Sequence, residues 1–287
     1  MNISINSNIE FFIKSIENFK NILFICGDYP GYGGAATNCS YLSSFLKKIG
    51  HNTFEYYYNF DNEKNQKYEC YDNCIVNDIK LIKHISFKPD LIILKSFVNI
   101  DLKLMYNCPV YYLVGGIYNN NLNMYYNELN SKDIQDKYIN SNVINQIKNS
   151  DLTFVNSSHT QDILKEYYHI DTYLFYSSFI QYYRKEPFID NNFNNRKYDY
   201  GLIVSNFDRK IKNVGKSIEF LKNKKNVILI GRGSERYKSY GFTCNQLVDK
   251  EDMEKYYKQI KYIVQDSFYE SCSNVIIEGL YNGCKIK

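Results

Sequence analysis

Glu270 and Glu278 lie eight positions apart, on either side of a stretch that opens with Ser271, Ser273 and Asn274. Ser271 or Ser273 can cap a helix starting there by accepting a backbone N–H. Glu278 follows Asn274 by four residues, one helical turn, so its side chain leans back toward the preceding loop. The exposed N–H groups of that first turn, at the positive end of the helix dipole, offer donors to an anion. A carboxylate on each side of them can accept hydrogen bonds from two neighbouring polyols. The same residues also fit an ordinary helix start with two solvated acids, so their surroundings have to decide.

A second group is cationic. Arg209, Lys210 and Lys212 stand in "NFDRKIKN" (206–213), directly after an apolar run and before a helical pattern. A parallel sheet places its ligand loops at the carboxyl ends of its strands, and cations on such a loop suit a diphosphate. A solvated basic turn is the competing reading. A third group, Gly31, Gly33 and Gly34, is spaced G-x-G-G and opens a helical pattern. Glycine lets backbone N–H groups approach an anion. The spacing is not the dinucleotide pattern G-x-G-x-x-G, and a plain tight turn explains it equally well.

The chain supplies an α/β alternation to carry these groups. "NILFICG" (21–27) reads as a buried parallel strand. The glycine loop follows, then a helix from Ala35 closed by Gly50, then a strand over 52–58. That is a βαβ unit. Further strands are predicted at 89–97, 108–116, 152–155 and in "DTYLFYSSF". Helices are predicted in "DIKLIKHISF", over 131–149, and from about Thr160 to Tyr168 after a Ser/Thr cap. The stretch 118–130 is polar and reads as a loop. Residues 183–197 are charged, Asn-rich and aperiodic with one proline, and read as a linker. The alternation then restarts. "YDYGLIVSNF", "NVILIGRGS" and "KYIVQDS" are strands, the second closing in a turn with Gly231 and Gly233. Helices fall between them, and "CKIK" has the look of a strand beginning. The expected fold is α/β: an N-terminal lobe (1–182), a linker (183–197) and a C-terminal lobe (198–287), both lobes Rossmann-like with parallel sheets facing a cleft.

Composition removes several classes. The 287 residues carry a formal charge of +4 with no dense basic run, which gives no reason to expect nucleic acid. The eight cysteines are scattered; Cys70 and Cys74 form no zinc pattern with a second pair. No apolar stretch reaches the roughly 18 residues of a membrane span, and residues 1–20 lack the features of a signal peptide. The expectation is a cytoplasmic protein, free or peripheral at a membrane, without disulfides.

The segment around Glu270 and Glu278, "YYKQIKYIVQDSFYESCSNVIIEGLYNGCKI", strongly resembles the E-x7-E segment of the retaining glycosyltransferases of family GT4, which have the GT-B fold. Other pieces resemble that family in its own order. They are the glycine loop and helix over 30–58, "SDLTFVNSSHTQDILKEY" (150–167), "NFDRKIKN", and the strand with its glycine turn in "NVILIGRGS". The resemblance implies that Glu270 contacts the transferred sugar and Glu278 the ribose hydroxyls. It implies that Arg209 and Lys212 neutralise the departing diphosphate, and that amides near Ser273 and Asn274 touch sugar or phosphate. Gly33 and Gly34 would let the N-terminal lobe approach the donor, and Gly231 and Gly233 would line its site. The family needs no metal or other cofactor, in keeping with the lack of an Asp-x-Asp motif. The implied partners are a UDP-, GDP- or dTDP-linked sugar and a glycan or glycoconjugate acceptor.

Three departures bear on this. The family's arginine stands five or six residues before its lysine, a place held here by Asn206, whereas Arg209 precedes Lys212 by three. Gly115 and Gly116 stand where the N-lobe often supplies a histidine, with His159 as a candidate substitute. The family continues past the position equivalent to Lys287, so the C-terminal lobe is expected to be truncated, with self-association as one way to cover the sheet edge. The leading expectation is retaining sugar transfer. A truncated or degenerate relative that binds nucleotide or glycan is the alternative, and another two-lobed sugar-nucleotide enzyme comes third.

Overall fold

Apolar runs that show no alternation in the sequence form parallel strands covered on both faces. The computed structural model describes residues 2–27, 34–58, 74–76, 78–117, 139–190, 192–246, 248–268, 270 and 272–287. These form two compact units, one from residues 2–117 and 139–183, the other from 184–287.

The first unit holds a seven-stranded sheet. Its strands are β1 (Asn21–Cys26), β2 (Asn52–Tyr57), β3 (Cys74–Val76), β4 (Leu91–Leu94), β5 (Val110–Val114), β6 (Leu152–Val155) and β7 (Tyr173–Leu174), in the order β3-β2-β1-β4-β5-β6-β7. Every adjacent pair is parallel. Helices α1 (Asn2–Ile16), α2 (Gly34–Lys48), α3 (Leu102–Tyr106), α4 (Ser141–Lys148) and α5 (Ser158–Tyr168) accompany it. Successive strand side chains point to opposite faces. Ile22, Phe24 and Cys26 therefore pack with Ile9 and Phe12 of α1 and Leu42 and Leu46 of α2. Leu23 and Ile25 join Val143 and Ile147 of α4 and Ile163 of α5 on the other face. Each such Leu or Ile contributes about 1.5–3 kcal/mol of burial, which explains why the strands read as continuous apolar runs.

Caps fall where short polar side chains allow them. Ser157 accepts the Thr160 N–H at 3.2 Å and starts α5 two residues earlier than the helical period alone suggests. The run "DTYLFYSSF" is strand only at Tyr173–Leu174 and turns into a 3₁₀ helix over Ser177–Tyr182. Ser177 and Ser178 are buried there, held by Lys95 Nζ at 3.3 Å and Asn38 Nδ2 at 3.0 Å, so side-chain bonds replace a strand ladder. The helix expected in "DIKLIKHISF" is a single 3₁₀ segment, Ile79–His84.

The second unit holds β8 (Tyr198–Asn206), β9 (Val227–Arg232), β10 (Thr243–Asn245), β11 (Ile260–Ile263) and β12 (Lys285–Ile286), in the order β10-β9-β8-β11-β12, again all parallel. Helices α6 (Val214–Leu221), α7 (Lys250–Tyr257) and α8 (Asn274–Tyr281) connect them. Val227 and Leu229 pack with Val214 and Ile218 of α6. Ile228 and Ile230 pack with Tyr257 and Ile263 on the opposite face.

The aperiodic stretch before β8 is tied to this second unit by Arg196. Its guanidinium donates to Asp190 Oδ2 at 2.6 Å and to the carbonyls of Ile260 at 2.6 Å, Asn282 at 2.9 Å and Tyr257 at 3.3 Å. The Arg196 hydrogen bond, with the Asn192 N–H behind it, holds the Asp190 carboxyl below its ordinary value. That contribution to stability is present above the unfolded carboxylate pKa, about 3.9, and is lost as the pH falls through the lowered folded value. Arg196→Met removes a donor from three buried carbonyls, of which that of Tyr257 keeps the Cys284 thiol at 3.1 Å. It is expected to cost about 2–4 kcal/mol, read as a lower urea midpoint with an unchanged slope.

Candidate functional site

In the second sheet the chain runs from β8 outward to β9 and β10, then crosses over to β11 and β12 on the other side. The order therefore reverses between β8 and β11. Loops leaving the carboxyl ends of two such strands diverge and leave a crevice, the usual ligand place in an open α/β sheet. Here those loops are 206–213 and 264–273. They carry Arg209 and Lys212 on one side, and Glu270 and Ser273 on the other.

The two loops are joined. The Phe268 N–H donates to the Ile211 carbonyl at 2.9 Å, and Ser217 Oγ of the following α6 donates to Asp266 Oδ2 at 3.3 Å. Lys212 Nζ forms an ion pair with Glu270 Oε1. The same oxygen accepts Gln265 Nε2 at 2.8 Å and Ser267 Oγ at 2.9 Å. The carboxylate is thus anchored by one cationic and two neutral donors, and its side chain is 25% exposed.

Helix α8 begins beside this cluster. Ser273 caps it by accepting the Ile276 N–H at 3.4 Å, and its hydroxyl donates to Gln265 Oε1 at 2.8 Å. Asn274 is the first residue of the helix. Glu278, one turn on, accepts the Tyr257 hydroxyl on Oε2 at 2.8 Å. Tyr257 is almost wholly buried at the end of α7, so it fixes the carboxylate from beneath.

Arg209 behaves differently from Lys212. It is exposed, and among the described residues its guanidinium makes no hydrogen bond or ion pair. It lines an open depression of about 460 Å³ with Phe207, Lys210, Asn213, Tyr237 and Phe268. Asp208 in the same loop pairs with Arg236 at 2.6 Å. Gly231 and Gly233 have local steric reasons to be glycine. A Cβ at Gly231 (φ +138°) would lie 1.6 Å from the Val204 carbonyl oxygen, and Gly233 has φ +82° under the Arg236 side chain. Of the glycine loop, Gly33 lies outside the described residues, while Gly34 is the first residue of α2. Ser271 and the polar stretch 118–130 also lie outside them.

The first sheet reverses likewise, between β1 and β4. Lys95, directly after β4, is buried and reaches Ser177. Glu55 is buried with the Tyr57 hydroxyl on its Oε2 at 2.5 Å. Burial is the main cause that pushes the Tyr57 phenol well above its ordinary pKa. His159, in the first turn of α5, is partly buried, and that burial lowers its pKa against the opposing pull of Asp162. Among the described residues, no group of three His, Cys, Asp or Glu could hold a metal ion, and no helix is long and apolar enough to cross a membrane.

Sequence reasoning brought Lys212, Glu270, Ser273 and Asn274 to one place, and the structure gathers them there. It missed Gln265, Ser267 and Tyr257. The available signal for the first two was the abrupt change from apolar strand to the polar triplet Gln265-Asp266-Ser267.

Solved structures share this architecture. Sucrose-phosphate synthase from Thermosynechococcus elongatus superposes with a TM-score of 0.64 at 14% identity, over 93% of this chain and 80% of that one. An α-glucosyltransferase in complex with UDP and a 13-mer DNA gives 0.60 at 10% identity, over 92% and 78%. WaaG, a glycosyltransferase involved in lipopolysaccharide biosynthesis, gives 0.54 at 11% identity, over 92% and 80%. The fold is that of the GT-B glycosyltransferases. No protein-family model and no curated protein sequence matches the chain.

Proposed function

We propose that the chain moves a sugar from a nucleoside diphosphate donor to a glycan, lipid or protein-linked sugar, with retention of anomeric configuration and without a metal. One observation carries the reading. A cation and a carboxylate, from the two loops that flank the reversal of the second sheet, meet beside a capped helix start. The fold shared with glycosyltransferases, one of them solved with UDP, supports it.

In this reading the diphosphate lies toward Arg209, Lys212 and the first-turn amides near Ser273 and Asn274. The anomeric C–O bond breaks with its electron pair leaving on the diphosphate, the acceptor hydroxyl oxygen bonds to the anomeric carbon on the face just vacated, and its proton passes to the departing phosphate oxygen; the two cations stabilise the phosphate charge as it develops. Glu270 accepts a hydroxyl of the transferred sugar, and Glu278 the ribose hydroxyls. Gly231 and Gly233 let the neighbouring strand end turn close beneath Phe207 and Arg236.

A panel of UDP-, GDP- and dTDP-linked sugars tests this, with melting temperature, donor hydrolysis and transfer measured on the wild type, Glu270→Ala and Glu278→Ala. The reading requires one donor class to bind and turn over, and both variants to lose it. A wild type that neither binds nor consumes any of them fits instead a non-catalytic relative.

Tyr257→Phe gives a finer prediction. It keeps the buried ring and removes the hydroxyl on Glu278, so stability should change by only about 1 kcal/mol. Nucleoside diphosphate affinity should weaken by roughly three- to tenfold, the equivalent of one lost hydrogen bond, measured by calorimetry. Unchanged affinity would separate Glu278 from the nucleotide.

A further inference from the structure

Gln265 stands at the carboxyl end of β11, and both ends of its amide are engaged. Nε2 donates to Glu270 Oε1 at 2.8 Å, and Oε1 accepts the Ser273 hydroxyl at 2.8 Å. The amide orientation follows from its partners. A carboxylate needs a donor, and the Ser273 oxygen already accepts the Ile276 N–H, so its proton is the one available to Gln265. All three donors to Glu270 converge on Oε1. Among the described residues none reaches Oε2.

We infer that Gln265 is a positioning residue. It ties the Glu270 carboxylate to the cap of α8 and presents Oε2 alone to the sugar, so that Glu270 engages a single hydroxyl group. This rests on the proposed role of Glu270. The three donors differ in what a diphosphate does to them. Lys212 is a cation and is drawn toward phosphate oxygens, which loosens its hold on Glu270. Gln265 and Ser267 are neutral and stay. Gln265 alone also reaches across to the helix that carries Glu278, so one amide couples the orientation of the sugar carboxylate to the helix start that faces the phosphates.

The test uses Gln265→Met, which keeps the side-chain length and removes both short bonds together with a longer one to Ser267 Oγ at 3.4 Å, in wild-type and Glu270→Gln backgrounds. Turnover of the donor selected by the panel is measured, with calorimetric binding of the matching sugar-free nucleoside diphosphate. The expected result is a kcat lowered by about 10- to 100-fold for the two lost bonds, with nucleoside diphosphate affinity within about twofold of wild type. In the Glu270→Gln background the same change should add less than about twofold, because two residues acting through one group are not additive. Turnover of Gln265→Met within twofold of wild type, or a full repeat of its loss in the Glu270→Gln background, overturns the inference. If Glu270→Gln turns over like wild type, the proposed role of Glu270 fails and takes this inference with it. Loss by Glu270→Gln with no effect of Gln265→Met sinks the inference alone. Should Gln265→Met fold poorly, Gln265→Asn, one methylene too short to span both partners, is judged by the same criteria.

Discussion

Glu270→Gln should lower sugar-transfer turnover by about 10²–10³-fold, the loss expected when one preorganised polar contact to the reacting sugar is removed. The substitution keeps the shape of the side chain, replaces one acceptor oxygen by a donor NH2 group and removes its charge. Its effect on the sugar-free nucleoside diphosphate should have the opposite sign. Lys212 is paired with Glu270, and neutralising the carboxylate releases that cation to the phosphates while removing a repelling charge. Affinity for the nucleoside diphosphate should therefore hold or tighten, by up to about tenfold. The pair is only partly buried, with side-chain exposures of 21% and 25%. Such a pair contributes about 0–1 kcal/mol to stability, so the variant should fold. Kinetics and calorimetry on one preparation check both signs. Parallel losses in turnover and nucleotide affinity would mean that Glu270 holds the nucleotide rather than the sugar.

Lys212→Ala is expected to lose on both counts. Turnover should fall by about 10²-fold, as a charge that stabilises the leaving diphosphate disappears. Nucleoside diphosphate affinity should fall by about tenfold, because Glu270 is left as an uncompensated anion beside the phosphates. Arg209→Ala should cost less in turnover, since its guanidinium is exposed and makes no hydrogen bond or ion pair among the described residues. The ranking settles which cation serves the leaving group, a question raised by the three-residue spacing of Arg209 and Lys212. Arg209→Ala proving the more damaging of the two would reverse the assignment. A merely structural Lys212–Glu270 pair would give losses of the same sign and size from either side.

Much of this was legible in the chain. β1 and β9 could be read because strands buried on both faces are continuous apolar runs, here bounded by Gly27 and Gly231. The capped start of α8 could be read from Ser273 and the helical spacing of the residues after it. Two of the four short edge strands, Cys74–Val76 and Thr243–Asn245, could not, because three residues carry no period. Nor could the strand order. The alternation predicts parallel sheets, but the crossover that sets β11 beside β8 depends on where whole helices pack. Within the site, Glu270 and Lys212 announced themselves as charges. Gln265 did not, since a neutral amide at a strand end looks like a solvated turn until both its partners are in place. Arg196 was hidden for a related reason: its partners are backbone carbonyls, which leave no trace in sequence.

The most direct measurement is a titration of ¹⁵N-labelled protein with UDP, GDP and dTDP, following backbone amide shifts. The account predicts that at least one of them perturbs amides at the carboxyl ends of β8 and β11, concentrated around Lys212, Ser273, Asn274 and Glu278. Perturbations confined to the first unit, or none from any of the three, would contradict it.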